Sequence, residues 1–257
     1  LNMNGKEREG EGMSRWYIII LPKKLGWSFL ILCCCLILLE WNQAQPLVLF
    51  TLGLASSDII YDIMLDPGHG GIDPGAIGQG DLYEKYYVLD IVLQMEKILT
   101  AKGLKVGLTR DHDRDVSHLV DEGTRHRRDL LGRFKLMNQA RVGISIHANA
   151  TKDPKESGAI VFYQEGNYLD RIYAQIVLEE LERVQVLNER RVIPRTTLLL
   201  LKAKPPVLLV EVGFMSNPAD LAKLGDPQFR TSVAQALSAG ILNFISWRSG
   251  EQSEPNP

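Results

Sequence analysis

Leu65-Asp-Pro-Gly-His-Gly-Gly-Ile-Asp-Pro-Gly-Ala76 is the stretch on which the reading of this chain turns. It follows the apolar Tyr61-Asp-Ile-Met-Leu65, so a short strand ends in a turn with four glycines, two prolines and one imidazole. Glycine reaches backbone angles that other residues avoid. Glycine on both sides of His69 can therefore present the imidazole at the strand mouth. Gly68, Gly70 and Gly71 would also leave room for a bulky substrate.

Outward from this turn the pattern alternates strand and helix. Ile59 to Leu65 reads as a strand. Glu84 to Ala101 reads as an amphipathic helix, because Val88, Ile91, Val92, Met95, Ile98 and Leu99 recur at helical spacing. Gly103 is a natural stop for it. Leu104 to Thr109 is a strand, residues 111 to 123 a polar loop, Arg125 to Ala140 a helix and Val142 to Ile146 a strand. Ala159 to Gln164 is a strand and Leu169 to Val184 a helix. Thr196 to Leu201 and Val207 to Val212 are strands. Asp226-Pro227 reads as an N-cap with proline at the first helical position, opening a last helix to about Ser246. The pattern predicts an α/β fold, a mostly parallel twisted sheet flanked by helices, in one catalytic domain over 58–247. The remaining 248–257 reads as a flexible tail.

In such sheets functional groups gather at the carboxyl ends of the strands. His69 follows the first strand. His147 lies in Ser145-Ile-His-Ala-Asn149, after the strand at 142–146. Glu211 sits between Val210 and Val212 in an apolar strand, and Glu84 opens the amphipathic helix. Taken singly, each has a plain explanation. A lone histidine can be a satisfied surface or core residue. Glu84 is a good partner for a helix N-terminus, and Glu211 can sit in a structural ion pair. Together they carry more weight. Two histidines and one carboxylate form a catalytic zinc set with a fourth position for water, and a further carboxylate is the usual general base.

Composition narrows the classes. Lys plus Arg number 29 and Asp plus Glu 31, so no net basic charge recommends a nucleic-acid partner. All three cysteines are consecutive, Cys33 to Cys35. The region from 58 on therefore has no disulfide or thiolate ligand, and a metal there must be held by His, Asp or Glu.

Those cysteines lie in an apolar run. Residues 1–24 are polar and then basic, ending in Lys23-Lys24, and Met13 is an attractive start. Residues 25–41 carry no charge except Glu40 and have Trp27 and Trp41 near the ends. Basic residues ahead of such a run keep that flank cytoplasmic. The run suits either an uncleaved anchor or a cleaved signal core, with a buried core helix as the plain alternative. Residues 42–57 form a linker. Either membrane reading puts the rest of the chain outside the cytoplasmic membrane.

The stretch 65–76, with Glu84, Leu108-Thr-Arg110, Ser145–Asn149 and Glu211-Val-Gly-Phe-Met-Ser-Asn-Pro218, resembles the zinc-dependent N-acetylmuramoyl-L-alanine amidases. The resemblance spans about 59–247, in order. It implies that His69, Glu84 and His147 hold Zn2+ and that Glu211 is the catalytic carboxylate, first base and then acid to the leaving amine. Gly123-Thr-Arg-His-Arg-Arg-Asp-Leu-Leu-Gly-Arg133 is similar to an insertion in the germination-specific amidases of spore-formers. That resemblance implies peptidoglycan of the spore cortex as substrate, muramic-δ-lactam formation with a deacetylase, and in some relatives an accessory lipoprotein. It places action in the forespore intermembrane space. Arg141 stands where many relatives have Asp, outside the ligand set. Arg133 and Asn138 are expected to support structure. His112 and His118 read as part of a solvated loop, with metal binding as the alternative, and the basic run around His126 as either a solvated face or a contact for anionic wall material or a partner protein. Two readings compete with the amidase: another zinc peptidase of the wall, such as a carboxypeptidase, and a non-catalytic wall-binding scaffold.

Overall fold

The computed structural model describes residues 59–250. The expected segments at 1–24, 25–41 and 42–57 lie outside the described residues. So does most of the 248–257 tail. Among the described residues no helix is long and apolar enough to cross a membrane.

The first strand, β1 (Tyr61–Pro67), leads through the glycine turn to a small hairpin of β2 (Ile77–Gly78) and β3 (Leu82–Tyr83). Then come α1 (Glu84–Ala101), β4 (Val106–Leu108), a 3-10 turn at Ser117–Leu119, α2 (Arg125–Met137) and β5 (Ala140–Asn149). The second half holds β6 (Ala159–Gln164), α3 (Tyr168–Glu182), β7 (Leu187–Arg195), a 3-10 turn at Leu200–Lys202, β8 (Val207–Phe214), α4 (Pro218–Gly225) and α5 (Pro227–Arg248). The six long strands form one sheet in the order β4-β1-β5-β8-β6-β7. β4, β1, β5 and β8 are mutually parallel. β6 joins β8 antiparallel, and β7 follows β6 in parallel. The sheet is thus mostly parallel, and β6 and β7 run against the rest.

Strand alternation divides the core in two. Ile63, Leu65, Val142, Ile144, Leu208 and Val210 meet Val88, Ile91, Val177, Leu237 and Ile241 of α1, α3 and α5. The other face sends Met64, Ile160 and Val207 against Met137 at the end of α2 and against Leu200 and Leu201. α1 has the predicted limits, and the apolar positions Val88, Ile91, Val92, Met95 and Leu99 are all buried. α5 starts as predicted, with the Asp226 side chain accepting from the Gln228 amide at 2.9 Å and Pro227 behind it.

One strand lies elsewhere than expected. Thr196–Leu201 is not a strand. The strand is β7, and Leu200 and Leu201 turn in a 3-10 helix to bury themselves in the second core. β7 reads Leu-Asn-Glu-Arg-Arg-Val-Ile-Pro-Arg, with a proline and three adjacent exposed charges. Such a sequence fits only an edge strand, where one side has no ladder to satisfy. α4, capped by the Asn217 side chain, is a further short helix not anticipated.

Candidate active site

Gly70 and Gly71 adopt the positive φ expected of the turn, at +124 and +61, but the space beside its glycines is not what was expected. Gly68 has no Cβ because one there would overlap the His147 ring. A Cβ on Gly70 would strike the Arg114 carbonyl, and one on Gly75 would lie 2.5 Å from Glu84 Oε2 and 2.7 Å from His69 Cδ2. The space is filled by the protein's own side chains and the 110–115 loop, not left for substrate. The loop also grips the turn: Asp113 accepts from the Gly71 amide at 2.8 Å and from Lys85 Nζ at 2.7 Å. His69 itself adopts φ +60, a left-handed conformation rare for a residue with a side chain.

This brings three side chains to one point. His69 Nε2, Glu84 Oε1 and His147 Nδ1 form a triangle with all three sides 3.1 Å. Ligand atoms on a tetrahedral ion with bonds of about 2.0–2.1 Å lie roughly 3.4 Å apart, so the triangle fits one face of a zinc coordination sphere. Among the described residues it is the only cluster of this kind. The surroundings orient it. Asp73 Oδ2 lies 3.0 Å from His69 Nδ1 and fixes the ring so that Nε2 faces the other two. Glu84 opens α1, and its oxygens accept from the amides of Ala76 at 2.7 Å and Ala148 at 2.8 Å. Burial would raise the Glu84 pKa, but the two histidines and their hydrogen bonds hold it well below the carboxylate range. His69 moves the other way. Burial pulls its pKa down, but the carboxylates of Glu84 and Asp73 raise it to about 9. Two imidazoles and one carboxylate thus crowd a single point suited to a cation.

Glu211 stands beside the triangle. It is the register partner of His147 between β5 and β8. The residue keeps some exposure, but its Oε2 is sealed from solvent and has no hydrogen-bond partner. Burial pushes its pKa up, His147 pulls it back and Glu84 adds repulsion, leaving about 7. A carboxyl poised there can take and return a proton near neutrality. The three expected ligands therefore meet, and the expected carboxylate pairs in register with one of them.

Asp66, at the end of β1, had no role in the sequence reading. It is fully buried and accepts from Ser145 Oγ at 2.6 Å, Arg133 Nη1 at 2.6 Å and Thr109 Oγ1. Burial raises its pKa, but Arg133 and the two hydroxyls outweigh that and hold it at about 2. Its only sequence signal was a charge inside an apolar strand end. Arg133 and Asn138 are structural in their contacts, Asn138 bonding the Phe134 carbonyl at 2.8 Å and the Lys204 amide at 2.9 Å. His112 and His118 are exposed on the 110–119 loop, outside the triangle, as expected of a solvated loop.

Residues 63–243 match the family model described as N-acetylmuramoyl-L-alanine amidase. The chain is 37% identical over 237 residues to the germination-specific N-acetylmuramoyl-L-alanine amidase of Bacillus subtilis, covering 88% of this chain and 97% of that one. It is similar in structure to the CwlD amidase of Clostridioides difficile, solved in complex with the GerS lipoprotein. There the TM-score is 0.67 and the identity 34%, over 72% of this chain and 98% of that one. The catalytic domain of CwlV from Bacillus (Paenibacillus) polymyxa gives a TM-score of 0.61 at 29% identity, over 72% and 97% of the two chains. These matches set aside the scaffold and carboxypeptidase readings: the chain belongs to the N-acetylmuramoyl-L-alanine amidase family and is an enzyme that hydrolyses peptidoglycan.

Proposed function

We propose that the chain cleaves the amide between N-acetylmuramic acid and L-alanine with one zinc ion held by His69, Glu84 and His147. When bound, zinc acidifies water and polarises a carbonyl. Glu211 is the proton carrier. Its carboxyl takes a proton from the attacking water and returns it to the departing amine, which leaves poorly unless protonated. Asp73 keeps His69 in the tautomer that presents Nε2. The observation that carries this reading is the unpartnered Glu211 carboxyl, in register with His147 beside a 3.1 Å triangle of metal-type ligands.

The substrate in this proposal is spore-cortex peptidoglycan, where the amidase and a deacetylase together produce muramic-δ-lactam. The likeness to a germination-specific amidase over almost its full length supports it. A lipoprotein partner is supported by the complex in which the similar C. difficile amidase was solved. A membrane anchor or signal at 25–41 would deliver the domain outside the cytoplasm.

The test is zinc content by elemental analysis, followed by mass spectrometry of digested cortex and of vegetative wall. One zinc per chain and free stem peptides beginning with L-alanine are expected, with cortex the better substrate. Zinc-free protein that still releases those stems would overturn the metal assignment. Equal rates on both walls would overturn the cortex assignment.

A further inference from the structure

The His69 turn ends β1 with three consecutive carbonyls, those of Pro67, Gly68 and His69, and each is met by a guanidinium. Arg110 donates from Nε to Pro67 O at 2.9 Å and from Nη2 to Gly68 O at 2.7 Å. Arg133 donates from Nη1 to Pro67 O at 2.8 Å and from Nη2 to His69 O. Both side chains are buried, Arg110 completely.

They differ in charge balance. Arg133 has carboxylates on either side, Asp66 at 2.6 Å and Asp129 at 2.9 Å. Arg110 forms no salt bridge among the described residues, and its bonds go to main-chain carbonyls. Burying a cation without a paired anion costs stability, and burial together with Arg133 lowers the Arg110 pKa to about 10. Besides a bond from Nη1 to His112 O at 3.2 Å, one more contact shows what the cost secures. The same Nη2 that holds Gly68 also holds Lys85 O at 2.9 Å. Gly68 precedes His69, and Lys85 follows Glu84. One planar group thus spans the two segments that carry two of the three proposed ligands, joining residues 17 positions apart in the chain.

We infer that Arg110 and Arg133 are positioning residues that preset the spacing of His69 and Glu84 before metal binds, Arg133 by fixing the His69 turn and Arg110 by clamping that turn to the first turn of α1. The inference rests on the proposed zinc site. Arg133 holds His69 in its left-handed conformation from one side, and Arg110 ties that turn to the helix from the other. Lysine keeps the charge at either position but has no planar fork with which to hold two carbonyls.

The experiment is zinc affinity of the full chain, stripped of metal and titrated against a chelator of known strength. The parent is compared with Arg110→Lys and with Arg230→Lys. Arg230 also anchors α1, through Asp90, but touches neither the turn nor Glu84. Arg110→Lys should bind zinc about 10- to 100-fold more weakly, as changes behind metal ligands do. Arg230→Lys should lower the apo melting temperature and leave zinc affinity unchanged. A folded Arg110→Lys with parental affinity would overturn the inference. So would equal losses of affinity in both variants, since that would reflect loosening of α1 alone. If Arg110→Lys does not fold, Arg133→Lys takes its place with the same expectation. If neither folds, the arginines belong to the framework and the inference fails. A parent that binds no zinc would instead remove the metal reading itself, and this inference with it.

Discussion

Glu211 and His147 are register partners on adjacent parallel strands, so their side chains leave the same face of the sheet at the same height. The pairing sets a carboxyl without hydrogen-bond partners on Oε2 beside a candidate ligand, with strand geometry rather than a loop fixing the distance. Glu211→Gln should keep one zinc per chain and lower kcat by at least about 10²-fold. A variant that turns over at the parental rate would remove Glu211 from proton transfer.

Gly68 and Gly80 separate steric from backbone demands. Gly68 has no left-handed φ, so alanine there costs nothing in backbone strain but drives a methyl into the His147 ring. Gly68→Ala should weaken zinc binding by about tenfold or more, on the scale of changes that displace a ligand's support. Gly80 has φ +80 and open space around it. Gly80→Ala should cost about 1–2 kcal/mol of stability from left-handed strain and leave zinc affinity alone. Chelator titration and denaturant unfolding of the two variants distinguish the effects. The opposite pattern would mean that the site does not depend on the fit of Gly68 against His147.

Asp73 is the outer support of His69. Removing it in Asp73→Ala frees the imidazole to rotate and to change tautomer. Zinc affinity should fall about 10- to 100-fold. Parental affinity in a folded Asp73→Ala would show that packing alone orients the ring.

Asp170, far from these residues in sequence, is expected to make stability depend on pH. It is fully buried in the first turn of α3, and neither carboxyl oxygen has a hydrogen-bond partner. Burial pushes its pKa up, and the nearby Gln164 and Val207 amides recover only part, leaving about 7 against an ordinary 3.8. The folded state therefore holds a proton that the unfolded chain has released. Stability is unaffected below about pH 4, falls as pH rises toward 7, and stays reduced above. Asp170→Asn should raise the melting temperature at pH 8 by about 2–8 °C and change it little at pH 4.5. An equal shift at both values would mean that ionisation is not the cause.

How much of this was legible beforehand follows from the range of each signal. The limits of α1 were readable because its apolar residues repeat at helical spacing and all face one core. His69, Glu84 and His147 stood out because each sits at or near a strand end or helix start, and Glu211 because it is a carboxylate inside an apolar strand, while their roles came from the family resemblance. β7 was not, because Glu189, Arg190, Arg191 and Pro194 look like a loop until an edge position explains them. Thr196–Leu201 misled for the reverse reason: Thr196 and Thr197 are exposed, and Leu200 and Leu201 are buried by a 3-10 turn rather than a strand. The two arginine clamps join residues up to 66 positions apart through main-chain oxygens, and no spacing rule marks such a contact. The backbone role of Gly70 and Gly71 follows from the turn sequence, whereas the close fit of Gly68, Gly70 and Gly75 depends on His147, the Arg114 carbonyl and Glu84, which no local pattern places there.

The two borders of the sheet bear on how the enzyme can meet other proteins. β4 is only three residues long, and β7 carries charges and a proline along an exposed flank. Short or charged borders resist pairing with a foreign strand. Within the described residues neither border is a good template for strand addition. A protein that docks on this domain must then recognise side chains on its faces and loops, so its selectivity can be altered by surface substitutions without disturbing the backbone ladder.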